Sequence, residues 1–253
     1  TTEKMMDFIY KKRPELTDKI FIAYCPERVL PGNIMHELVY NDRVIGGVNS
    51  ESTLKAIDFY KKFVKGALHP TNARTAEMCK LVENSSRDSQ IAFANELSII
   101  CDKAKINVWD LISLANKHPR VSILQPSCGV GGHCIAVDPY FIINDYKNES
   151  RLISKSREIN NYKSSWCFEK IQKTRSLFIK ENNYNPKIAI MGLAFKPNID
   201  DLRESPAIRV VDILINSGID VIIVEPNISE HEHYKLVDLE DALQADIIVF
   251  LVK

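Results

Sequence analysis

The sequence predicts an α/β protein with a doubly wound region near each end and a helical middle. Short apolar runs typical of buried strands alternate with amphipathic helical segments in both end regions, which indicates parallel sheets. The middle contains long helical patterns and one glycine-rich loop. Of the 253 residues, 45% are hydrophobic and 26% are charged, which is typical of a globular protein rather than a disordered chain.

The first region covers residues 1–72 and begins with a helix at Thr2. Its further predicted elements are a strand at Lys19–Tyr24, a strand at Arg43–Gly47 and an amphipathic helix at Ser50–Gly66. No strand precedes the first helix, and an apolar strand closes the chain at Lys253. We therefore expect that the sequence is a piece of a longer chain.

The second region, residues 73–181, is predicted to be helical. Helices are expected at 73–105, 107–118 and 151–180, the last of them a long, charged central helix. Asn107 can cap its helix because its side-chain oxygen can accept a hydrogen bond from a free backbone N–H. The glycine-rich loop at 125–134 interrupts the helical pattern.

The third region, residues 182–253, is predicted to be half of a doubly wound nucleotide-binding domain. Its strands are expected at 187–192, at 220–225 and at the end of the chain, with a short helix before the last strand. Ser205 and Pro206 suit the N-cap and first position of the main helix, and Gly218 suits its C-terminal end. Such sheets bind ligands at the carboxyl ends of their strands.

Charge, hydropathy and cysteine content argue against several classes of partner. The 33 basic residues balance the 33 acidic ones without a basic run, so we expect no nucleic-acid partner. Apolar runs such as 246–252 are much shorter than the roughly 20 residues of a membrane span. Six irregularly spaced cysteines without a secretory leader favour a reducing compartment. A soluble, cytoplasmic protein is therefore expected.

Cys134 is the candidate nucleophile. It follows three glycines, whose backbone freedom lets a ligand come close, and Asp138 lies four residues further on. A buried apolar thiol is the alternative interpretation. Cys128 and His133 beside Cys134 would suggest zinc, but their spacing matches none of the common ligand sets, so no metal is expected. The other four cysteines are predicted to be core residues.

Four polar residues recur at helical spacing in the helix that begins near Ala73: Glu77, Lys80, Asn84 and Asp88. A solvent-exposed face is one interpretation of this stripe. The other is a stripe that lines a cleft, where a lysine and an amide are suited to stabilising an oxyanion. The sequence leaves both open.

Two cations, Lys196 and Arg203, lie in the loop after the first strand of the third region. Beside a helix N-terminus they suit a phosphate ligand. The alternative is a salt-bridged surface loop, since Asp200, Asp201 and Glu204 are available as partners. The residue pattern does not decide between the two.

The glycine fingerprint of dinucleotide binding, G-x-G-x-x-G between a strand and a helix, is absent from the sequence. The nearest match, Gly129–Gly132, follows a loop that contains a proline rather than a strand. If the protein uses a nicotinamide cofactor, we expect the main phosphate cradle upstream of Thr1.

Five ordered motifs resemble the nucleotide-sugar 6-dehydrogenase family. They lie at 24–32, 41–47, 75–84, 129–134 and 192–206, so the resemblance covers essentially the whole chain. It implies two Rossmann-like domains, the first truncated, joined by a helical dimerisation core and the long central helix. The family's amino-terminal strand and glycine fingerprint are missing.

The resemblance implies an NAD-dependent enzyme that oxidises the C6 alcohol of a UDP-sugar twice, through an aldehyde-level stage, to the carboxylate. Cys134 matches the family nucleophile, which forms a thiohemiacetal and then a thioester. Lys80 and Asn84 match residues that steady the alkoxide and the oxyanion. Asp138 matches a carboxylate paired with that lysine or with a catalytic water, and Glu27 matches one implicated in hydrolysis.

Ligand contacts are also implied by the resemblance. Arg120 corresponds to an arginine offered to the ligand of a neighbouring subunit, and Lys196 and Gly131 correspond to contacts of the sugar nucleotide. Arg203 and Gly132 correspond to contacts of the cofactor. A homodimer or a higher homo-oligomer is expected.

Pro31 is an informative departure, because enzymes that act on UDP-glucose usually carry a second carboxylate at that position. The variant resembles the branch that acts on 2-acetamido sugars and implies UDP-N-acetyl-D-mannosamine as substrate, for the synthesis of surface polysaccharide precursors. UDP-N-acetylglucosamine and UDP-glucose are the alternative substrates. A different class also stays open, a non-catalytic, dimerising remnant that binds a UDP-sugar, and the piece alone is expected to be inactive.

Overall fold

The computed structural model describes residues 1–29 and 33–252, so Pro31 lies outside the described residues. Contacts divide the chain into two units, Thr1–Glu83 and Asn84–Lys253. The finer division at residues 72 and 181 stays a prediction. Among the described helices, none combines the length and the apolar character that crossing a membrane requires.

The first unit contains a mixed three-stranded sheet. Its elements are α1 (Thr2–Lys12), a 3-10 turn (Pro14–Leu16), β1 (Ala23–Tyr24), α2 (Ile34–Tyr40), β2 (Arg43–Gly47), α3 (Ser50–Tyr60), β3 (Leu68–Asn72) and the start of α4 (Ala73–Ala104). The strand order is β1-β2-β3, with β2 and β3 parallel.

Two expectations for this sheet were wrong. β1 pairs antiparallel with β2, with Ala23 opposite Gly47, whereas a parallel sheet was predicted. The predicted strand from Lys19 shrinks to two residues because a turn, with Asp18 at a φ of 59°, takes up its beginning. β3 was missed because it contains Pro70, but proline is tolerated in an edge strand, and β3 lies at the edge.

The second unit contains the long helices and a parallel sheet. After the rest of α4 its elements are α5 (Val108–Ala115), α6 (Asp138–Asp145), α7 (Arg151–Asn182), β4 (Ile188–Met191), α8 (Pro206–Asn216), β5 (Val221–Val224), α9 (Leu239–Ala242) and β6 (Ile247–Phe250). The predicted caps are confirmed: Asn107 accepts from Trp109 N–H, Ser205 accepts from Ala207 N–H, and Gly218 has a φ of 71°.

β4 is the centre of this parallel sheet and is buried on both faces. Ile188 and Ile190 belong to the apolar cluster that includes residues of α7 and α8, whereas Ala189 and Met191 pack with Ala242 of α9. This alternation follows from the two-residue period of a strand, and helices on both faces are typical of parallel sheets. The predicted doubly wound arrangement of the third region is therefore confirmed.

The strand order β5-β4-β6 places β5 and β6 on opposite sides of β4. The connection that leaves β4 runs towards β5 and away from β6, so the carboxyl ends of β4 and β6 form the switch point of the sheet. Open α/β sheets bind their ligands at such a switch point. The topology alone therefore indicates where this unit binds a ligand.

Candidate active site

A cleft of about 1230 Å³ lies at this switch point, lined by residues of the second unit. Residues 194–197, which follow β4, and Leu251 and Val252, which follow β6, form part of its wall. The glycine-rich loop forms another part, and α4, α5 and α7 complete it. A concave, mainly apolar cleft with a few polar groups is typical of a small-molecule site.

The glycine-rich loop packs so closely on the loop before α8 that a side chain would not fit. A Cβ atom at Gly131 would lie 2.6 Å from the Glu204 carbonyl oxygen and 2.7 Å from Phe195 Cβ. Gly132 has a φ of 82°, and its N–H donates to the Arg203 carbonyl oxygen at 2.9 Å. Both glycines are therefore needed for packing, and Gly131 also lines the cleft. Their ligand contacts stay predictions.

Side chains of the long helices hold the beginning of this loop. The Ser127 N–H donates to Asn95 Oδ1 of α4 at 2.8 Å, and Ser164 Oγ of α7 donates to the Cys128 carbonyl oxygen at 2.9 Å. Ser127 Oγ itself donates to the Gly129 carbonyl oxygen at 2.6 Å. The cleft wall is thus braced from both helices.

Asn95 belongs to a buried polar network between α4 and α7. Its Nδ2 donates to Asn160 Oδ1 at 2.9 Å, and Asn160 Nδ2 donates to Asp88 Oδ1 at 2.8 Å. Arg157 Nη1 donates to the same Asp88 oxygen at 2.6 Å. Burial raises the pKa of Asp88, although Arg157 and Asn160 oppose this shift. Asp88, predicted to lie on an exposed or cleft-lining stripe, is therefore an interior residue.

Cys134 lies four residues before Asp138, the first residue of α6, and is half-buried. Its carbonyl oxygen accepts from the Val137 N–H at 3.0 Å and from the Asp138 N–H at 2.8 Å, so the thiol sits at the turn that starts the helix. Gly131, three residues before it, and Ile135, the next residue, line the cleft, whereas Cys134 itself is not among the described residues that line it. The role of Cys134 as the nucleophile stays a prediction.

Other thiols are less suited to this role. Burial raises the pKa of Cys128 to about 12, with Cys167 adding to the effect. Burial also raises the pKa of Cys167 and of Cys25. Because the thiolate is the reactive form, these three cysteines are poor nucleophiles. Cys101 is buried in the core.

Two predicted catalytic residues meet in the second unit. Asn84 Nδ2 donates to Asp138 Oδ2 at 2.5 Å, which connects α4 to the first residue of α6. Lys80 precedes Asn84 by one turn of α4 and belongs to the first unit. The four residues of the stripe therefore do not share one role. Asn84 binds the Asp138 carboxylate, whereas Asp88 is buried between the helices.

Glu27, also in the first unit, is held by a residue that the sequence reading missed. Arg43 is only 2% exposed, and its Nη1 donates to Glu27 Oε1 at 3.0 Å while its Nη2 donates to the Leu38 carbonyl oxygen at 3.0 Å. The only sequence signal was a charged residue opening the apolar strand β2.

The structure shows the ion-paired alternative for Arg203, whereas phosphate binding by Lys196 stays a prediction. Lys196 is half-buried and lines the cleft. Arg203 is 63% exposed and forms a two-pronged ion pair with Asp201, with Nε–Oδ1 at 2.9 Å and Nη2–Oδ2 at 2.6 Å. Hydrogen bonding from Arg203 lowers the pKa of Asp201 to about 2.

Arg120, the arginine predicted to reach a neighbouring subunit, is exposed and follows α5. Among the described residues, it is not one of those that line the cleft.

Lys163 is a second polar residue that the sequence reading missed. It lines the cleft from α7, is 3% exposed, and donates from Nζ to Ser98 Oγ at 2.7 Å. Its ammonium lies 3.4 Å from the centre of the Trp166 ring. Burial lowers the pKa of Lys163 to about 8.

The described residues 1–29 and 33–252 contain no group of three or more His, Cys, Asp or Glu side chains that could hold a metal ion.

The parallel sheet, its switch-point cleft and the loop that carries Cys134 define a protein of the doubly wound nucleotide-binding class. Three models of the UDP-glucose/GDP-mannose dehydrogenase family match the chain: the NAD binding domain at residues 1–64, the central domain at 74–162 and the UDP binding domain at 189–253. The chain belongs to this family.

Two of the most similar proteins are named for the same sugar nucleotide. The UDP-N-acetyl-D-mannosamine dehydrogenase of Campylobacter jejuni is 52% identical over 270 residues, which cover 100% of this chain and 65% of that protein. The protein of the same name from Escherichia coli (strain K12) is 49% identical over 273 residues, covering 100% and 64%. The chain thus spans slightly less than two thirds of these relatives.

A solved structure supports the same relationship. The UDP-D-ManNAc dehydrogenase from Pyrococcus horikoshii matches with a TM-score of 0.87 at 39% identity, over 99% of this chain and 59% of that one. The predicted α/β class with Rossmann-like domains is confirmed by this match.

Proposed function

We propose that the intact protein oxidises the C6 alcohol of UDP-N-acetyl-D-mannosamine to the uronic acid in two steps. The observation that carries this proposal is the cleft outside β4 and β6. Its lining includes residues 194–197 of the segment that matches a UDP binding domain, together with Gly131 and Ile135, which are three residues before and one residue after Cys134. A ligand in this cleft would have its nucleotide beside Lys196 and its sugar towards the thiol. The cationic Lys196 is suited to a diphosphate.

Cys134 supplies the covalent step in this proposal. Its thiolate adds to the aldehyde-level intermediate to give a thiohemiacetal, which the second oxidation converts to a thioester that water hydrolyses. When bound, NAD would supply the hydride acceptor for each oxidation. Arg203 is the exposed residue proposed to contact NAD, and Gly132 lies beside it, whereas the glycine turn that cradles a pyrophosphate is not part of this sequence.

Asn84 and Asp138 are proposed to act as a pair. An asparagine amide has two N–H donors. Asn84 donates one of them to Asp138, and the other is proposed to donate to an oxyanion. Asp138, held in place, can accept a proton from the thiol or from a water molecule. From the family resemblance we assign Lys80 to oxyanion stabilisation and Glu27 to the hydrolytic step, with Arg43 orienting Glu27.

We also propose that the protein forms a homodimer or a higher homo-oligomer in the cytoplasm. Several large apolar side chains of α4 and α5 are exposed, namely Phe93, Ile100 and Leu114. Exposed apolar groups of this kind are typical of association surfaces. Arg120, just beyond α5, is the residue proposed to reach the ligand of the neighbouring subunit.

The test is NADH production by the intact protein with UDP-N-acetylmannosamine, UDP-N-acetylglucosamine and UDP-glucose at equal concentration. A pocket shaped for the acetamide leaves polar atoms unpaired with glucose, at about 1–3 kcal/mol each, so kcat/KM should be at least about tenfold higher for the acetamido sugar. Two NADH should form per sugar.

Equal or higher kcat/KM for UDP-glucose would contradict the proposed substrate branch but not the family. No NADH from any sugar, together with binding of UDP, would instead favour the non-catalytic UDP-sugar-binding protein. The relative named NDP-N-acetyl-D-galactosaminuronic acid dehydrogenase, from Ralstonia nicotianae, is 48% identical over 265 residues, so a galactosamine sugar belongs in the same panel.

A further inference from the structure

Glu225 is a buried carboxylate at the carboxyl end of β5, and the proposed chemistry does not use it. It is 5% exposed. Its Oε2 accepts from the Leu193 N–H at 2.8 Å and from the Ala194 N–H at 3.0 Å. Its Oε1 accepts from the N–H and the side-chain amide of Asn227, at 3.0 and 2.8 Å. Four donors thus converge on one carboxylate.

In dinucleotide-binding doubly wound domains, an acidic residue at the end of the second strand binds the ribose hydroxyls. β5 is the second strand of this sheet in chain order, so Glu225 occupies the corresponding place. Both of its oxygens are already engaged inside the protein, and the side chain is buried. Glu225 is therefore not placed to bind a ribose.

The contacts of Glu225 instead fix the beginning of the loop after β4. Leu193 is held on both sides, because Ser205 Oγ donates to its carbonyl oxygen at 2.5 Å while Glu225 accepts from its N–H. Phe195 and Lys196 follow directly and line the cleft. Burial acts to raise the pKa of Glu225, but hydrogen bonds from Ala194, Leu193 and Asn227 outweigh it and lower the pKa.

We propose that Glu225 is a positioning residue, which holds the main chain of Leu193 and Ala194 so that Phe195 and Lys196 form the nucleotide-facing wall of the cleft. The inference rests on the proposed function, in that it takes the cleft to hold a nucleoside diphosphate. Phe195 also packs against the glycine loop, since its Cβ would lie 2.7 Å from a Cβ at Gly131. The position of this wall therefore bears on Gly131, which lines the same cleft.

The test compares Glu225→Gln with the matched control Asp246→Asn. In Glu225→Gln the side-chain NH2 group replaces one carboxylate oxygen and faces the two N–H donors that this oxygen accepted from. At least two of the four hydrogen bonds are therefore lost. Asp246 is the counterpart at the amino end of the same sheet, where it accepts from the Lys187 N–H and the Tyr184 hydroxyl, each at 2.8 Å. Both substitutions remove a carboxylate that accepts a backbone N–H.

Calorimetry with UDP on the intact protein separates positioning from stability. We expect Glu225→Gln to raise the Kd for UDP, and the KM for the UDP-sugar, by about tenfold, which corresponds to about 1.4 kcal/mol, with kcat within threefold of wild type. Asp246→Asn should leave Kd within twofold, although both variants lower the Tm. An equal Kd in Glu225→Gln and wild type, or an equal rise in both variants, would overturn the inference.

If Glu225→Gln does not fold, Glu225→Asp serves in its place. Its side chain is one methylene shorter, so the carboxylate cannot reach both Asn227 and the amides after β4, and Kd should rise at least threefold. An unchanged Kd would again contradict the positioning role. Failure of wild-type protein to bind UDP would overturn the proposed function, an outcome distinct from normal binding by the Glu225 variants.

Discussion

Asn84 and Asp138 are 54 residues apart in the sequence and are joined by a hydrogen bond of 2.5 Å from Asn84 Nδ2 to Asp138 Oδ2. The Asp138 N–H donates in turn to the carbonyl oxygen of Cys134 at 2.8 Å. The carboxylate is therefore fixed through its side chain by α4 and through its backbone by the turn that carries the thiol. This arrangement fixes the proposed acid–base group relative to the turn that carries the proposed nucleophile.

Replacing Asn84 with alanine should lower kcat about 10²- to 10³-fold, because it removes both the oxyanion donor and the anchor of Asp138. The KM for the UDP-sugar should change less than threefold. Asn161→Ala is the matched control, since the Asn161 amide donates to the Tyr140 hydroxyl of α6 at 2.9 Å without touching Asp138. Steady-state kinetics of both variants would contradict this role if Asn84→Ala kept kcat within fivefold of wild type.

Removing only one charge of the Asp88–Arg157 ion pair should destabilise the protein more than removing both charges together. Arg157→Met leaves a buried carboxylate without its cation, which should lower the free energy of unfolding by about 3–5 kcal/mol. The double variant Asp88→Asn, Arg157→Met removes both charges and should recover most of that loss. Urea unfolding measures all three proteins. A double variant no more stable than Arg157→Met alone would show that the buried charge is not the cause.

Lys163 should make stability depend on pH in the alkaline range. Its folded-state pKa is about 8 against 10.5 for the ordinary side chain, and burial is the main cause. Between these values the unfolded chain binds a proton that the folded protein has released, so the contribution of Lys163 to the free energy of unfolding rises with pH. Relative to Lys163→Met, wild type should therefore gain roughly 2–3 kcal/mol from pH 7 to pH 10.

The matched control for this pH dependence is Lys170→Met. Lys170 lies 5.8 Å from the same Trp166 ring but is 38% exposed and paired with Asp102 at 2.6 Å. The difference in unfolding free energy between wild type and Lys170→Met should stay nearly constant from pH 7 to pH 10. The same slope in both comparisons would exclude burial of Lys163 as its origin. Both comparisons are made in a Cys128→Ser, Cys167→Ser background, because the Lys163 charge lowers the pKa of each of these thiols.

The sequence predicted correctly those elements that depend only on residues close together in the chain. The caps at Asn107 and Ser205 depend on side chains one or two residues from the helix start, and the strands of the third region are continuous apolar runs. β1 and β3 were misjudged because pairing direction and edge position depend on the rest of the sheet. Neither the direction in which a strand pairs nor its position in the sheet can be predicted from the strand's own residues.

The candidate site divides in the same way. Cys134 behind its glycines could be singled out from the chain, whereas the partners of Asn84 and Glu225 lie far away in sequence. Arg43 and Lys163 were overlooked because a charged residue on a strand or helix is usually exposed, and its burial follows only from tertiary packing. The polar stripe on α4 looked uniform, yet Asp88 proved to be interior.

The most direct test of the account is the rate of uronic acid formation by Cys134→Ser in the intact protein, beside Cys128→Ser as control. A serine hydroxyl cannot form the readily hydrolysed thioester, so we expect Cys134→Ser to lose roughly three or more orders of magnitude in rate. Cys128→Ser, which alters a buried thiol of raised pKa, should form uronic acid within tenfold of wild type. Uronic acid formation by Cys134→Ser within tenfold of wild type would contradict the covalent role of Cys134 and with it the proposed mechanism.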